Sequence, residues 1–213
     1  MGQVTLVAVF GQFAQEVVEI EGRFVAGHLC GNPSCGSCRP RQTYAREYCV
    51  VRLYDAWAWF CRELVLCSAA GRPTTRGGTR LPSVPGVATR AGALKKLCQS
   101  YPPGTQRALW GPRWADAGDC LRAAQYLSPA NFPTIASAIG CSPSPADDLR
   151  LVRNFAAHHS QQAALAVAEV ATKVGVRRFQ GVEHLVSQPV LPGVSLMTSW
   201  AGRLRQIAYA ATA

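Results

Sequence analysis

Leu6, Phe10, Phe13, Val17, Ile20 and Phe24 follow one another at alternating steps of four and three residues. That spacing lays all six on one stripe of an α-helix, which the two-residue period of a strand would not do. Residues 3–24 therefore read as a helix, although Gly11 weakens it and the intervening valines suit a strand. A longer helix is predicted from Thr43 to about Ala70. Tyr48, Val51, Leu53, Tyr54, Trp57, Phe60, Cys61, Leu64 and Val65 form its buried face, and Gly71 ends it. No convincing β-sheet pattern and no internal repeat appears elsewhere, so the expected fold is a single all-α bundle over residues 1–213.

The remaining segments fit that bundle. Residues 27–42 are a Gly, Pro and Ser loop without periodicity. Residues 71–92, "GRPTTRGGTRLPSVPGVATRAG", contain four arginines and no acid, and read as a long, mobile basic loop. A short helix follows from Ala91 to Gln99, and "YPPGTQ" breaks the chain. Arg113–Leu127 reads as a helix with Trp114, Cys120, Leu121 and Tyr126 inward. Asn131 is placed as the cap of a short helix through Ile139. Ser144, Pro145, Asp147 and Asp148 open a helix that Ala-rich sequence carries to Lys173, before Gly175. A last helix is expected over about 195–210.

Composition narrows the partners. The chain has 22 Lys and Arg against 12 Asp and Glu, a net charge of +10, which favours a polyanion through Coulomb attraction and counterion release. Nucleic acid is the commonest such partner. No stretch is long and apolar enough to cross a bilayer. The N-terminal stretch has no positive leader and soon meets Glu16 and Glu19, and Leu6 stands where a myristoylation signal wants Ser or Thr. The expectation is a cytoplasmic protein whose nine cysteines, an odd number, are mostly reduced.

The stretch "LRLVRNFAAHHSQQ", residues 149–162, carries the chemistry. On one continuous helix, Leu149, Val152, Phe155, Ala156, His159, Ala163, Ala166 and Val170 share the apolar side. Arg150, Arg153, Asn154, Ala157, Gln161, Ala164 and Ala168 share the other, with His158 at its edge. His159 is then expected in the core, and His158 beside Asn154 one turn earlier. Small residues at 157, 164 and 168 would admit a second copy of the helix, and a two-fold dimer would gather two Arg–Asn–His sets in one cleft. Those groups suit RNA cleavage. A neutral imidazole takes the proton of a ribose 2′-OH, a protonated one serves the leaving oxygen, and a guanidinium offsets the phosphate's charge. The nucleophile lies within the RNA, so no metal is needed.

"RNFAAH", residues 153–158, resembles the signature of prokaryotic HEPN domains: Arg, a polar residue, three further residues, and His. "YDAWAWFCREL", residues 54–64, is similar to the Trp-containing first core helix of that family, in its RiboL-PSP-like branch. The likeness covers about residues 40–175, with helices 3–24 and 195–210 as additions. It implies an all-α bundle, a homodimer through the motif helix and metal-independent endoribonuclease activity in a toxin or phage-defence effector. A cognate antitoxin or another defence-system protein would be a partner. Arg153, Asn154 and His158 would be the catalytic residues. His159 stands where the family usually has a small residue. Some members only bind, so the alternative is a non-catalytic HEPN-like module that binds nucleic acid or protein.

Two further groups stand out. His28, Cys30, Cys35 and Cys38 have an irregular zinc-knuckle spacing, with Cys49 further on; unligated thiols are the plainer reading. Arg150, Arg72, Arg76, Arg80, Arg113 and Trp110 are candidate RNA contacts, with Arg90, Arg107 and Trp114 nearby in sequence. Solvated arginines and a core Trp114 are the structural alternative. The motifs of nucleotide-binding phosphate loops, zinc proteases and serine hydrolases are all missing.

Overall fold

The computed structural model describes residues 5–26, 39–70, 73–141 and 143–213. Among these are ten helices and a single short antiparallel ladder. In chain order they are α1 (Leu6–Ala26), α2 (Arg39–Ala69), α3 (Arg90–Cys98), α4 (Gln106–Trp110), α5 (Ala117–Leu127), α6 (Phe132–Ile139), α7 (Pro145–His158), α8 (Gln161–Lys173) and α9 (Val182–Val186), then β1 (Pro189–Leu191), β2 (Val194–Ser195) and α10 (Leu196–Ala211). No described helix is long and apolar enough to cross a membrane. The helix bounds follow the periodic reading closely at α3, α6 and α10 and within three residues at α1; α2 begins at Arg39, four residues before the expected Thr43 and inside the segment read as a loop, and α5 begins at Ala117 rather than Arg113. The chain divides into two compact units.

The first unit holds residues 1–14, 57–144 and 205–213. Its core contains an aromatic cluster. Phe13 of α1 lies 4.9 Å from Phe60 and 5.9 Å from Trp57 of α2, centroid to centroid, and all three are buried. Burying such rings is a large favourable term, with edge and offset contacts adding to it. The basic segment after α2 is tied down rather than loose. The Leu6 N–H donates to Thr74 O at 2.9 Å, the Leu81 N–H to Pro73 O at 2.8 Å, and the Val84 N–H to Ala69 O at 3.0 Å. Leu81, Val84 and Val87 are buried. The absence of periodicity concealed three scattered apolar anchors and a backbone paired through isolated bridges at Thr74.

Other local expectations change in this unit. Tyr126 is exposed, because α5 turns Cys120, Ala123, Ala124 and Leu127 inward instead. Asn131 stands at the N-cap of α6 but does not cap it; its amide donates to the buried Ser68 hydroxyl at 3.0 Å. Asp119 of α5 is buried and gathers three arginines: Arg107 at 2.8 Å, Arg113 at 3.0 Å, and Arg122. Burial would raise its carboxyl pKa, but hydrogen bonds from Arg113 and Arg122 and the Arg107 charge outweigh that and hold it below the usual value.

The second unit holds residues 15–56 and 145–204. Val17, Ile20 and Phe24 of α1 and Val50 and Leu53 of α2 are buried, while Tyr48, expected on the buried face, is 48% exposed. Arg46 of α2 is buried; it donates to Glu183 of α9 at 2.6 Å and to the Ser187 hydroxyl at 2.9 Å, and its guanidinium lies over the Phe24 ring. A charged pair so deeply placed needs this full set of partners. The β1–β2 hairpin was not expected from the sequence. Gly193, at φ +74°, supplies the left-handed residue of its turn, which the Pro192–Gly193 dipeptide does signal.

The main correction lies in the motif segment. The single helix expected from Pro145 to Lys173 is two helices, α7 and α8, packed as a hairpin. His159 takes the left-handed conformation, φ +46°, and its N–H donates to Phe155 O at 2.9 Å, closing α7. Ser160 then caps α8, its hydroxyl accepting from the Ala163 N–H at 3.2 Å. Lys173 at the end of α8 pairs with Asp148 at the start of α7 at 2.7 Å, as an antiparallel pair requires. Folding back lets α7 bury Leu149 and Val152, and α8 bury Val167, Val170 and Ala171.

Candidate active site

His159 is exposed, not a core residue. Its ring meets Phe155 edge-on, at 5.3 Å, and Phe155 in turn meets Phe179. The expectation of one continuous helix failed here because it carried helical geometry through a residue that reverses the chain. His158, the last residue of α7, is exposed as well.

The reversal creates a cavity of about 360 Å³, lined by Arg150, Leu151, Asn154 and His158 of α7 and by Ser160, Gln162, Ala163 and Ala166 at the start of α8. Arg150, Asn154 and His158 are spaced four apart and form one row along α7. No carboxylate lines the cavity. Gln162 and Ser160 were missed as site residues; Ser160, an N-cap residue type directly after a histidine pair, was the available signal for the turn.

Arg153 is placed differently. Its guanidinium lies over the Tyr54 ring, 5.6 Å from the centroid, and its Nη1 makes a long 3.5 Å contact with Asn154 Oδ1. It does not line the cavity, although it touches Asn154, which does. Tyr54 therefore serves as a cation–π rest for Arg153. Among the described residues neither Arg150 nor Arg153 pairs with a carboxylate, and each has a buried Nε without an acceptor. Near the turn, Glu47 of α2 has a raised pKa: burial lifts it and the Glu183 charge adds to this, while His159 pulls the other way.

The other candidates fall in the first unit or outside the described residues. Arg76 is engaged on the Tyr209 ring, 3.3 Å from its centroid, and its backbone N–H donates to Thr212 O. Arg80 is exposed in the anchored segment. Arg113 is bound to Asp119, and Trp114 is buried as its core reading expected. Arg72, the Trp110 side chain, and His28, Cys30, Cys35 and Cys38 lie outside the described residues. Among the described residues no cluster of His, Cys, Asp and Glu could hold a metal ion, and Cys49, Cys61, Cys67, Cys98, Cys120 and Cys141 are free thiols. No family model, curated protein or solved structure matches the chain.

Proposed function

We propose that this protein is a metal-independent endoribonuclease of the HEPN type, acting as a toxin or phage-defence effector. The observation that carries the reading is the exposed His158 at a cavity without carboxylates, one turn from Asn154, which Arg153 touches. In its neutral form, His158 takes the proton of a ribose 2′-OH, and the freed oxygen attacks the adjacent phosphorus. The bond to the 5′ oxygen breaks, and an imidazolium, that of a second copy, returns a proton to it. Arg153, through Asn154, orients His158 and adds positive charge beside the developing dianion. The products are a 2′,3′-cyclic phosphate and a 5′-hydroxyl. The α7–α8 turn separates Ala157 from Ala164 and Ala168, so the surface left for a second copy is that of exposed Leu165 and Ala168, one turn apart on α8.

Incubation with RNA and with fully 2′-O-methylated RNA of the same sequence, both in EDTA, tests this reading. Cleavage of the first alone is expected. Equal cleavage of both, or loss of all cleavage in EDTA, rejects the mechanism. Salt-dependent binding without any product would leave the non-catalytic module in its place.

A further inference from the structure

We infer that Arg150, which lies outside the Arg–Asn–His signature, is the residue that holds the RNA phosphate in this cavity, and that Arg153 is a positioning residue acting through Asn154. The inference rests on the nuclease reading of the same cavity. Arg150 shares its row with Asn154 and His158, and all three line the cavity. Nothing acidic lines that space, and no described carboxylate pairs with the guanidinium, so its charge is left for an anion. Among the described residues its buried Nε–H has no acceptor, as is also true of Arg153; what separates the two is that Arg150 lines the cavity and Arg153 does not. Arg153 stands beside the cavity rather than in its lining, with its guanidinium over the Tyr54 ring and near Asn154 Oδ1.

The rest of the lining fits a phosphodiester carrying its sugar. Leu151, Ala163 and Ala166 provide apolar wall, and the uncharged Gln162 also lines the space. A volume of about 360 Å³ is at the small end of ligand sites. It suits one nucleotide unit of a single strand rather than a duplex. An arginine fork matches two phosphate oxygens, which a lysine would contact only as a point charge.

The test uses the full chain and a short 2′-O-methyl oligoribonucleotide, which binds but is not cut. Affinity is measured across salt concentrations for the wild type, Arg150→Ala, Arg150→Lys and Arg153→Ala, with melting curves for each. Arg150→Ala is expected to weaken binding at least about 10-fold and to flatten the salt slope by about 0.7, one phosphate's share on a single strand. Arg150→Lys should fall between it and the wild type. Arg153→Ala should stay within about 3-fold in affinity while losing cleavage of ordinary RNA, a loss in kcat rather than KM. In the wild type, the oligonucleotide should shift the His158 ring signals in NMR.

Unchanged affinity in Arg150→Ala, or a larger loss in Arg153→Ala, overturns the inference. If Arg150→Ala does not fold, the Lys variant and the wild-type His158 signals decide: unmoved signals, or full affinity in Arg150→Lys with an unchanged slope, overturn it. Arg150-dependent binding with no cleavage of ordinary RNA in EDTA would keep the inference and sink the nuclease. Cleavage in EDTA with Arg150-independent binding would do the reverse. A wild type that neither binds nor cuts sinks both.

Discussion

Two groups of arginines are treated in opposite ways by this fold. Arg107, Arg113 and Arg122 converge on one buried carboxylate, Asp119, and Arg113 also faces Asp116 at 3.8 Å. Arg150 and Arg153 lie in and beside a cavity that holds no acid at all. The first arrangement uses positive charge to neutralise a buried negative one, so its contribution is to stability. The second leaves positive charge uncompensated, so its contribution falls to whatever anion enters. A count of arginines in a basic sequence does not separate the two; the position of the nearest carboxylate does.

Asp119→Asn is the substitution that should do most damage to the stabilising group. It removes charge-assisted hydrogen bonds from three half-exposed arginines, so a loss of about 2–3 kcal/mol in a denaturant titration is expected. The pH dependence has a definite sign. The Asp119 pKa is lowered in the folded state. Its stabilisation is therefore complete above the unfolded carboxyl value, about 3.9, and is lost as pH falls below that through the folded value. Wild type should lose stability there more steeply than Asp119→Asn, and parallel acid profiles would break the contrast. RNA affinity at neutral pH should not depend on Asp119 except through folding.

Smaller effects sharpen the other side. Ser160→Ala removes the cap of α8 and should cost about 1 kcal/mol, since the Ala163 N–H loses its acceptor. An unchanged melting temperature would mean that the turn is held elsewhere. His159→Gly should be near neutral, within about 0.5 kcal/mol, because glycine relieves the left-handed backbone while the Phe155 contact is lost. His159→Val should cost about 1–2 kcal/mol at the same position, where a β-branched residue is strained. Equal stability of the two variants would argue against that conformation.

The helices with long apolar stripes were legible because burial and periodicity state the same thing twice. Phe13, Val17, Ile20 and Phe24 repeat the signal every turn, and all four are buried. The α7–α8 turn was not legible by that route. Alanine-rich sequence favours helix on both sides of it, and the reversal rests on one backbone conformation at His159 and one hydroxyl at Ser160. The error mattered for the site. His158 and Asn154 were correctly placed as neighbours, since α7 is helical throughout their spacing. The cavity wall contributed by Ser160 and Gln162, and the exposure of His159, follow only from the turn. Tyr54 was placed in the core face of α2 without any hint that it carries Arg153, because such a pairing joins residues about a hundred positions apart.

The most direct test of the cavity as the proposed reaction centre is to look for RNA cleavage and identify the ends of any fragments. Wild type in EDTA should yield fragments ending in 2′,3′-cyclic phosphate and beginning with 5′-hydroxyl. His158→Ala, with an unchanged melting curve, should yield them at least about 100-fold more slowly. Fragments with 5′-phosphates, or a His158→Ala variant that cuts as fast as the wild type, would contradict the account.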